Sequence, residues 1–208
     1  MPRGVNRAQP PHHRTQEQRR AETQAKVLDA TIRSVLEHGY AQTTTRQVAA
    51  LAGVSAGAMA HYYPRRADLV AAAIERLVEQ RLDAWRAMAP TLRGGSGNFT
   101  PGLLDLLWAD FSGPLFTVVV KLWVAAADDH GLYVRLAAAE RRMAHEITRL
   151  AVETVSDLTT RAGWEGRLRI MLAAVRGLAL MEHFEPRMRH QPDPWPETRE
   201  ALISLFDS

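Results

Sequence analysis

The sequence predicts an all-α fold, and three observations carry that prediction. Apolar residues recur at spacings of three and four through most of the 208 residues, the period of a helix with one buried face. Alanine is abundant, while glycine and proline gather at a few points, so the intervals between those points favour helix. The one β-branched run, TVVV at 117–120, lies inside a helical pattern. Hydrophobic residues make up 46% of the chain, enough for a packed core.

Taken in order, residues 1–14 are short of apolar groups and contain Pro10 and Pro11, so a disordered basic arm is expected there. A helix follows from about 15, with Ala25, Leu28, Ile32, Val35 and Leu36 on one face, until Gly39 stops it. Short helices fit 45–52 and 56–63. Pro64 breaks the chain before a long helix whose stripe of Leu69, Ala73, Ile74, Leu77, Leu82, Trp85 and Met88 runs to Pro90. The glycine-rich loop after it lacks the Gly-Lys-Ser/Thr of a phosphate cradle. Apolar helices are then expected at 102–111 and 114–127, long amphipathic ones at 132–158 and 165–184, and a short closing helix at 197–206. These divide the chain into a basic arm at 1–14, a helix-turn-helix head at 15–66 and a helical body at 67–208.

Charge separates head from body. Residues 1–66 carry ten Arg or Lys against four Asp or Glu, whereas 67–208 carry sixteen against nineteen. A basic head on a mildly acidic body suits contact with a polyanion. There is no cysteine, which excludes disulfides and thiolate metal sites. The first residues lack the apolar core of a signal peptide. The longest apolar run, 115–127, is interrupted by Lys121 and is too short to span a bilayer. A soluble, cytoplasmic protein with no membrane partner is expected.

The informative segment is GVSAGAMAHYY, 53–63. Upstream, Thr44 and Gln47 have the spacing of a capping box. Ala49 sits where two short helices would cross, and Gly53 where a left-handed turn suits glycine. Ser55 is an expected N-cap, with Val54 and Met59 pointing inward. This spacing is that of a helix-turn-helix, although a tight helical hairpin in an ordinary core has it too. Small residues at Ala56, Gly57 and Ala58 would let the second helix approach base edges closely.

The stretch GYAQTTTRQVAALAGVSAGAMAHYYPRRADLV, 39–70, resembles the DNA-binding head of the TetR family of transcriptional regulators, over roughly residues 15–70. The resemblance implies a three-helix head, followed by a variable helical body that binds a ligand and dimerises. Thr44 and Ser55 fall at its cap and phosphate-contact positions, with Thr45 beside them. Arg46 falls where a side chain meets a base or a phosphate. Ala56, Gly57 and Ala58 occupy the base-facing start of the recognition helix, His61 and Tyr62 its groove and backbone positions, and Arg66 its phosphate clamp. Two departures stand out: Ala60 replaces an aromatic, and Arg65-Arg66-Ala67 replaces a small-Lys-Glu exit. The arm's Arg3, Arg7 and Arg14 suit either a minor groove or a solubilising tail.

For the body, the resemblance implies an effector pocket, with Trp85, Trp108, Phe111, Phe116, Trp123, Tyr133 and Trp164 as lining residues or plain core. Lys121 and His145 interrupt apolar helices and are expected to orient a ligand, or in the case of Lys121 to reach solvent. The helices at 132–158 and 165–184 resemble a dimerising pair, with Ile147, Leu150, Leu168, Met171, Leu172, Val175 and Leu178 at the interface. The implied protein is a repressor that binds double-stranded DNA as a homodimer on a palindromic operator and is released by a small-molecule effector. A body that only dimerises is the alternative. An enzyme or metal protein is the remote one, resting on Glu182-His183 with Glu185 and on His145-Glu146, neither of which makes His-Glu-x-x-His. No catalytic residue, metal site or cofactor is predicted.

Overall fold

The computed structural model describes residues 15–92, 100–154, 163–184 and 193–207. The arm with Arg3, Arg7 and Arg14, the expected helix end at 155–158 with Val155, and Glu185 lie outside the described residues. Within them the helices are α1 (Gln16–His38), α2 (Thr45–Ala52), α3 (Ala56–Tyr62), α4 (Arg66–Leu92), α5 (Thr100–Phe111), α6 (Pro114–Ala126), α7 (His130–Thr154), α8 (Trp164–Phe184) and α9 (Trp195–Asp207). No strand occurs among the described residues.

Most ends have a local cause. At the start of α1 the Thr15 hydroxyl accepts from the Gln18 backbone N–H, while the Gln18 side chain accepts from the Thr15 N–H, a complete capping box. α6 begins with Pro114 in its first turn, where the missing N–H costs no helical bond. α4 passes Pro90 to reach Leu92 rather than ending there. Pro90 has no N–H to donate to the carbonyl of residue 86, so the last turn of α4 lacks that bond.

Two cores result. The smaller joins Val27 and Ala30 of α1, Val48 and Ala49 of α2, Met59 of α3, Tyr63, and Leu69 of α4. The larger takes Ile32 and Val35 of α1 and Val70 through Trp85 of α4, and extends through α5 to α9. In the body, α4 packs on α7, α5 on α8, and α6 on both α1 and α7. No single described helix is long and apolar enough to cross a membrane. The bent pair α5–α6, which meets that test on composition together, contributes Leu103, Leu104, Phe111, Val118 and Leu122 to the core.

An ion pair lies inside. Arg81 is 3% exposed and donates from Nε and Nη2 to the two carboxylate oxygens of Asp110, at 3.0 and 2.7 Å. Its guanidinium also sits 5.8 Å from the Phe111 ring centre and 5.9 Å from that of Phe116. Glu140 approaches at 3.8 Å. A bidentate pair of this kind fastens α4 to α5, and removing one member strands the other charge. Arg81→Met is therefore expected to cost about 3–5 kcal/mol in urea unfolding. The double variant Arg81→Met/Asp110→Leu should recover most of that loss.

Candidate nucleic-acid interface

The turn between α2 and α3 is built by backbone bonds around one glycine. Gly53 has φ 66° and ψ 33°, a left-handed conformation that is cheap only without a Cβ. Its N–H donates to Ala50 O at 3.2 Å, and the Val54 N–H donates to Ala49 O at 3.0 Å. Together these form a Schellman motif that closes α2. The chain then enters α3 at Ser55, whose Oγ accepts from the Ala58 N–H at 3.1 Å. At the start of α2 the Thr44 Oγ1 accepts from the Gln47 N–H at 3.2 Å. The reciprocal half of the expected capping box is absent at Thr44: the N-cap bond is made, and Gln47 does not return it.

Both capping side chains are exposed. Each hydroxyl already accepts a backbone N–H, so its own O–H points away as a donor, which suits a phosphate oxygen. Met59 and Tyr63 turn inward beneath α3, so Ala56, Gly57, Ala60 and His61 form its exposed face. Ala58 and Tyr62 are half-buried at its sides, and Arg20 lies 5.9 Å over the Tyr62 ring. Arg46 is exposed on α2, and Thr45 is half-buried beside it. Ala60, a departure from the family pattern, thus stands on the outward face together with the expected small residues.

Arg66 requires a correction. It was expected to clamp phosphate, yet its Nε donates to Thr43 O at 2.8 Å and its Nη2 donates to Tyr40 O. Its guanidinium stacks 4.1 Å over the Tyr40 ring. The reason is its register: Arg66 begins the stripe that continues through Leu69, Val70 and Ala73 and faces the interior. Arg65, one residue earlier, is the outward arginine, with its side chain 79% exposed and held to Asp68.

Tyr40 carries the connection onward into the body. Its O–H donates to Asp129 Oδ2 at 3.2 Å, and Asp129 Oδ1 accepts from the Leu132 N–H at the first turn of α7. Lys121, expected to face a ligand or solvent, donates to Leu36 O in the last turn of α1 instead. Sequence reasoning missed Tyr40 and Asp129 altogether. The Leu132 N–H holds the Asp129 carboxyl below its ordinary value, with further help from Tyr40 and Arg66. Burial pushes the Tyr40 phenol upward.

The expected pocket residues separate into groups. Phe116 and Trp123 line a cavity of about 350 Å³ with Val119, Val120 and Leu180, and Glu140 and Arg176 supply its polar side, 3.2 Å apart. Glu140 was missed, although its spacing from Leu136 and Met143 puts it on the inner stripe. Trp85 lines a second cavity, of about 230 Å³. Phe111 is sealed in the core, where it meets Phe116 edge-on. Trp108 stacks on Trp195 at 4.7 Å, and Trp164 packs half-buried on the core. Tyr133 is half-exposed beside Trp123, and His145 is exposed, away from both cavity linings. No cluster of three His, Asp or Glu suited to a metal occurs among the described residues.

Four of the expected dimer residues are turned away from any partner by burial in their own subunit. Ile147, Leu168, Met171 and Val175 are buried within the subunit, and Leu150, Leu172 and Leu178 are half-buried against the same core. Packing of α8 on α5 turns that face inward. α8 leaves outside Ile170, Ala173, Gly177 and Met181, beside the exposed Arg169 and Arg176, with Ile170 54% and Met181 50% exposed.

A profile of bacterial regulatory proteins of the tetR family matches residues 27–73. The HTH-type transcriptional regulator CymR of Pseudomonas putida is 33% identical over 172 residues, covering 82% of this chain and 84% of its own. A solved TetR-family member from Streptomyces coelicolor A3 has a TM-score of 0.65 at 23% identity, over 88% of this chain and 98% of its own. The multidrug binding protein EbrR, solved with ethidium, has a TM-score of 0.62 at 25% identity, with the same coverage of the two chains.

The Asp129 junction has a pH signature. A carboxyl whose folded value lies below its ordinary 3.8 contributes stability above that value and loses it as pH falls through the folded one. Urea midpoints measured from pH 6 down to 3 should therefore fall more steeply for the unaltered protein than for Asp129→Asn.

Proposed function

The chain belongs to the tetR family of bacterial regulatory proteins and is a DNA-binding transcriptional regulator, and we propose that it represses as a homodimer on a palindromic operator and is released by a small molecule held in its body. The observation that carries the DNA reading is the exposed face of α3, framed by the Thr44 and Ser55 hydroxyls and by Arg46. No carboxylate occurs from 44 to 62, so nothing on that face repels phosphate. Seven residues of helix are roughly 10 Å long, and small side chains on the outward face suit entry into a major groove about 12 Å wide. Arg46 supplies either a bidentate guanine contact or a phosphate contact beside it.

Dimerisation is supported by the outward stripe of α8. Ile170, Ala173, Gly177 and Met181 follow helical spacing, and the small residues allow a second helix to approach closely. A two-fold axis through that stripe would present two α3 helices to half-sites one turn apart, about 34–36 Å. The ligand reading draws on the cavity beside Phe116 and Trp123, and on EbrR, whose structure holds ethidium in a related fold.

A ligand acts only by favouring one arrangement over another. α6 is suited to transmit that preference. It presents Val119, Val120 and Trp123 to the cavity, and Lys121 to the end of α1. Asp129, just beyond α6, holds Tyr40, and Arg66 joins Tyr40 to the Thr43 carbonyl directly before the Thr44 cap. A shift of α6 would thus reach the start of α2 through hydrogen bonds.

Fluorescence anisotropy at about 150 mM salt tests the DNA reading, with a fragment from upstream of the gene and a shuffled control. Tight binding to the first alone is expected. Arg46→Ala should weaken it at least tenfold, as loss of one good contact implies, and should leave the dimer intact. Equal, salt-sensitive binding to both fragments would overturn the sequence-specific reading. In sedimentation, Gly177→Glu is expected to give a folded monomer, because its position is exposed in the subunit.

A further inference from the structure

Arg65 follows α3 and Pro64 directly, and it is held at both its backbone and its side chain. Its carbonyl accepts from the Asp68 and Leu69 N–H groups at 3.1 and 3.2 Å, which seats it at the start of α4. Its guanidinium donates from Nε to Asp68 Oδ2 at 2.8 Å and from Nη2 to Asp68 Oδ1 at 2.9 Å. The side chain is nevertheless 79% exposed. A guanidinium carries five N–H groups in a rigid plane. Asp68 takes two of them along the Nε–Nη2 side. Nη1 and Nη2 then form a second edge, able to hold two oxygens of one anion.

The local charge favours an anion. The Asp68 carboxyl is held below its ordinary value by the Arg65 hydrogen bonds first, and then by the charges of Arg65 and Arg135. Two arginines act on one carboxylate, so the group as a whole is positive. Arg20, 5.9 Å over the Tyr62 ring, brings a further cation to the same end of α3.

Position identifies the anion. The first residues of a recognition helix meet base edges in the major groove. A helix of roughly 10 Å in a groove about 12 Å wide brings the residues at its ends beside the sugar-phosphate strands. Ser55 stands at one end of α3 and Arg65 just beyond the other. The family pattern gives this contact to Arg66, but Arg66 donates to Tyr40 O and Thr43 O.

We propose that Arg65, with its plane set by Asp68, grips a DNA phosphate at the start of α4, in the place that the family pattern gives to Arg66. The proposal rests on the DNA-binding reading and adds to it a contact made by charge and fork geometry. Asp68 already orders the guanidinium, so little side-chain freedom is lost on binding. Such a contact fixes the register of the head on the duplex and carries no sequence information.

The test is fluorescence anisotropy of the full chain on the fragment from upstream of the gene and on its shuffled control, each at several salt concentrations between about 75 and 300 mM. Arg65→Gln should weaken binding to both fragments by a similar factor. It should also flatten the plot of log affinity against log salt by about 0.9 per phosphate contact, roughly 1.8 for the two copies in a dimer. Its urea midpoint should stay unchanged, because an exposed ion pair contributes little to stability. Arg65→Lys keeps the charge without the fork, and should restore the slope while binding more weakly than arginine. Arg66→Gln should leave the slope as it is and lower the urea midpoint, since its bonds are internal. An unchanged slope in Arg65→Gln, a loss confined to the upstream fragment, or a flattened slope in Arg66→Gln instead would each overturn the proposal. Equal binding of the unaltered chain to both fragments would overturn only the sequence-specific reading. The slope on either fragment still reports on Arg65, because phosphate contacts are blind to sequence.

Discussion

α1 and α4 each belong to two cores at once, and the rest of the architecture depends on that sharing. Val27 and Ala30 of α1 meet Leu69 of α4 in the head, while Ile32 and Val35 meet Val70, Ala73 and Ile74 in the body. The two helices pack along one another, so the head cannot turn freely on the body without breaking apolar contacts in one core or the other. α2 and α3 are held against the head end of this spine, and neither is long enough to be stable alone. Their positions are set by what α1 and α4 do.

Polar bonds govern the junction where this spine meets the rest of the body. Arg66, Tyr40, Asp129 and Lys121 tie the end of α1 and the α1–α2 loop to α4, α6 and the start of α7. Three of these are charged, and each is bonded to a carbonyl, a phenol or a helix N-terminus. Apolar packing tolerates small sliding, whereas hydrogen bonds have a narrow range of length and angle. A junction made of them is suited to report a shift of α6 to the Thr44 cap. The buried Arg81–Asp110 pair imposes a comparable geometric constraint between α4 and α5.

The head was the legible part of the sequence. Thr44, Gly53 and Ser55 act through bonds to backbone a few residues away, so type and spacing sufficed to place α2, the turn and α3. Arg66 was misassigned because two adjacent arginines look alike in a basic segment. The spacing of 66 with 69, 70 and 73 was the available clue that it faces inward. Lys121 and Tyr40 gave less warning, since their partners lie 85 and 89 residues away. Most body aromatics were recognisable as interior groups, but their division among cavity wall, stacked pair and sealed core was not, nor was the half-exposed position of Tyr133.

α8 marks the limit most clearly. It carries two apolar stripes, Leu168, Met171, Val175 and Ala179 on one side and Ile170, Ala173, Gly177 and Met181 on another. Periodicity identified the helix but did not decide which stripe faces its own subunit. By itself the sequence determined the helical class, the order of the elements and the local chemistry of the turn, because caps, glycine conformation and the 3.6-residue period are short-range properties of the chain. Only the tertiary structure decided which arginine points outward and which stripe of α8 is left exposed. Those outcomes depend on which distant surfaces pack together, and burial is a property of the assembled core rather than of any segment in it.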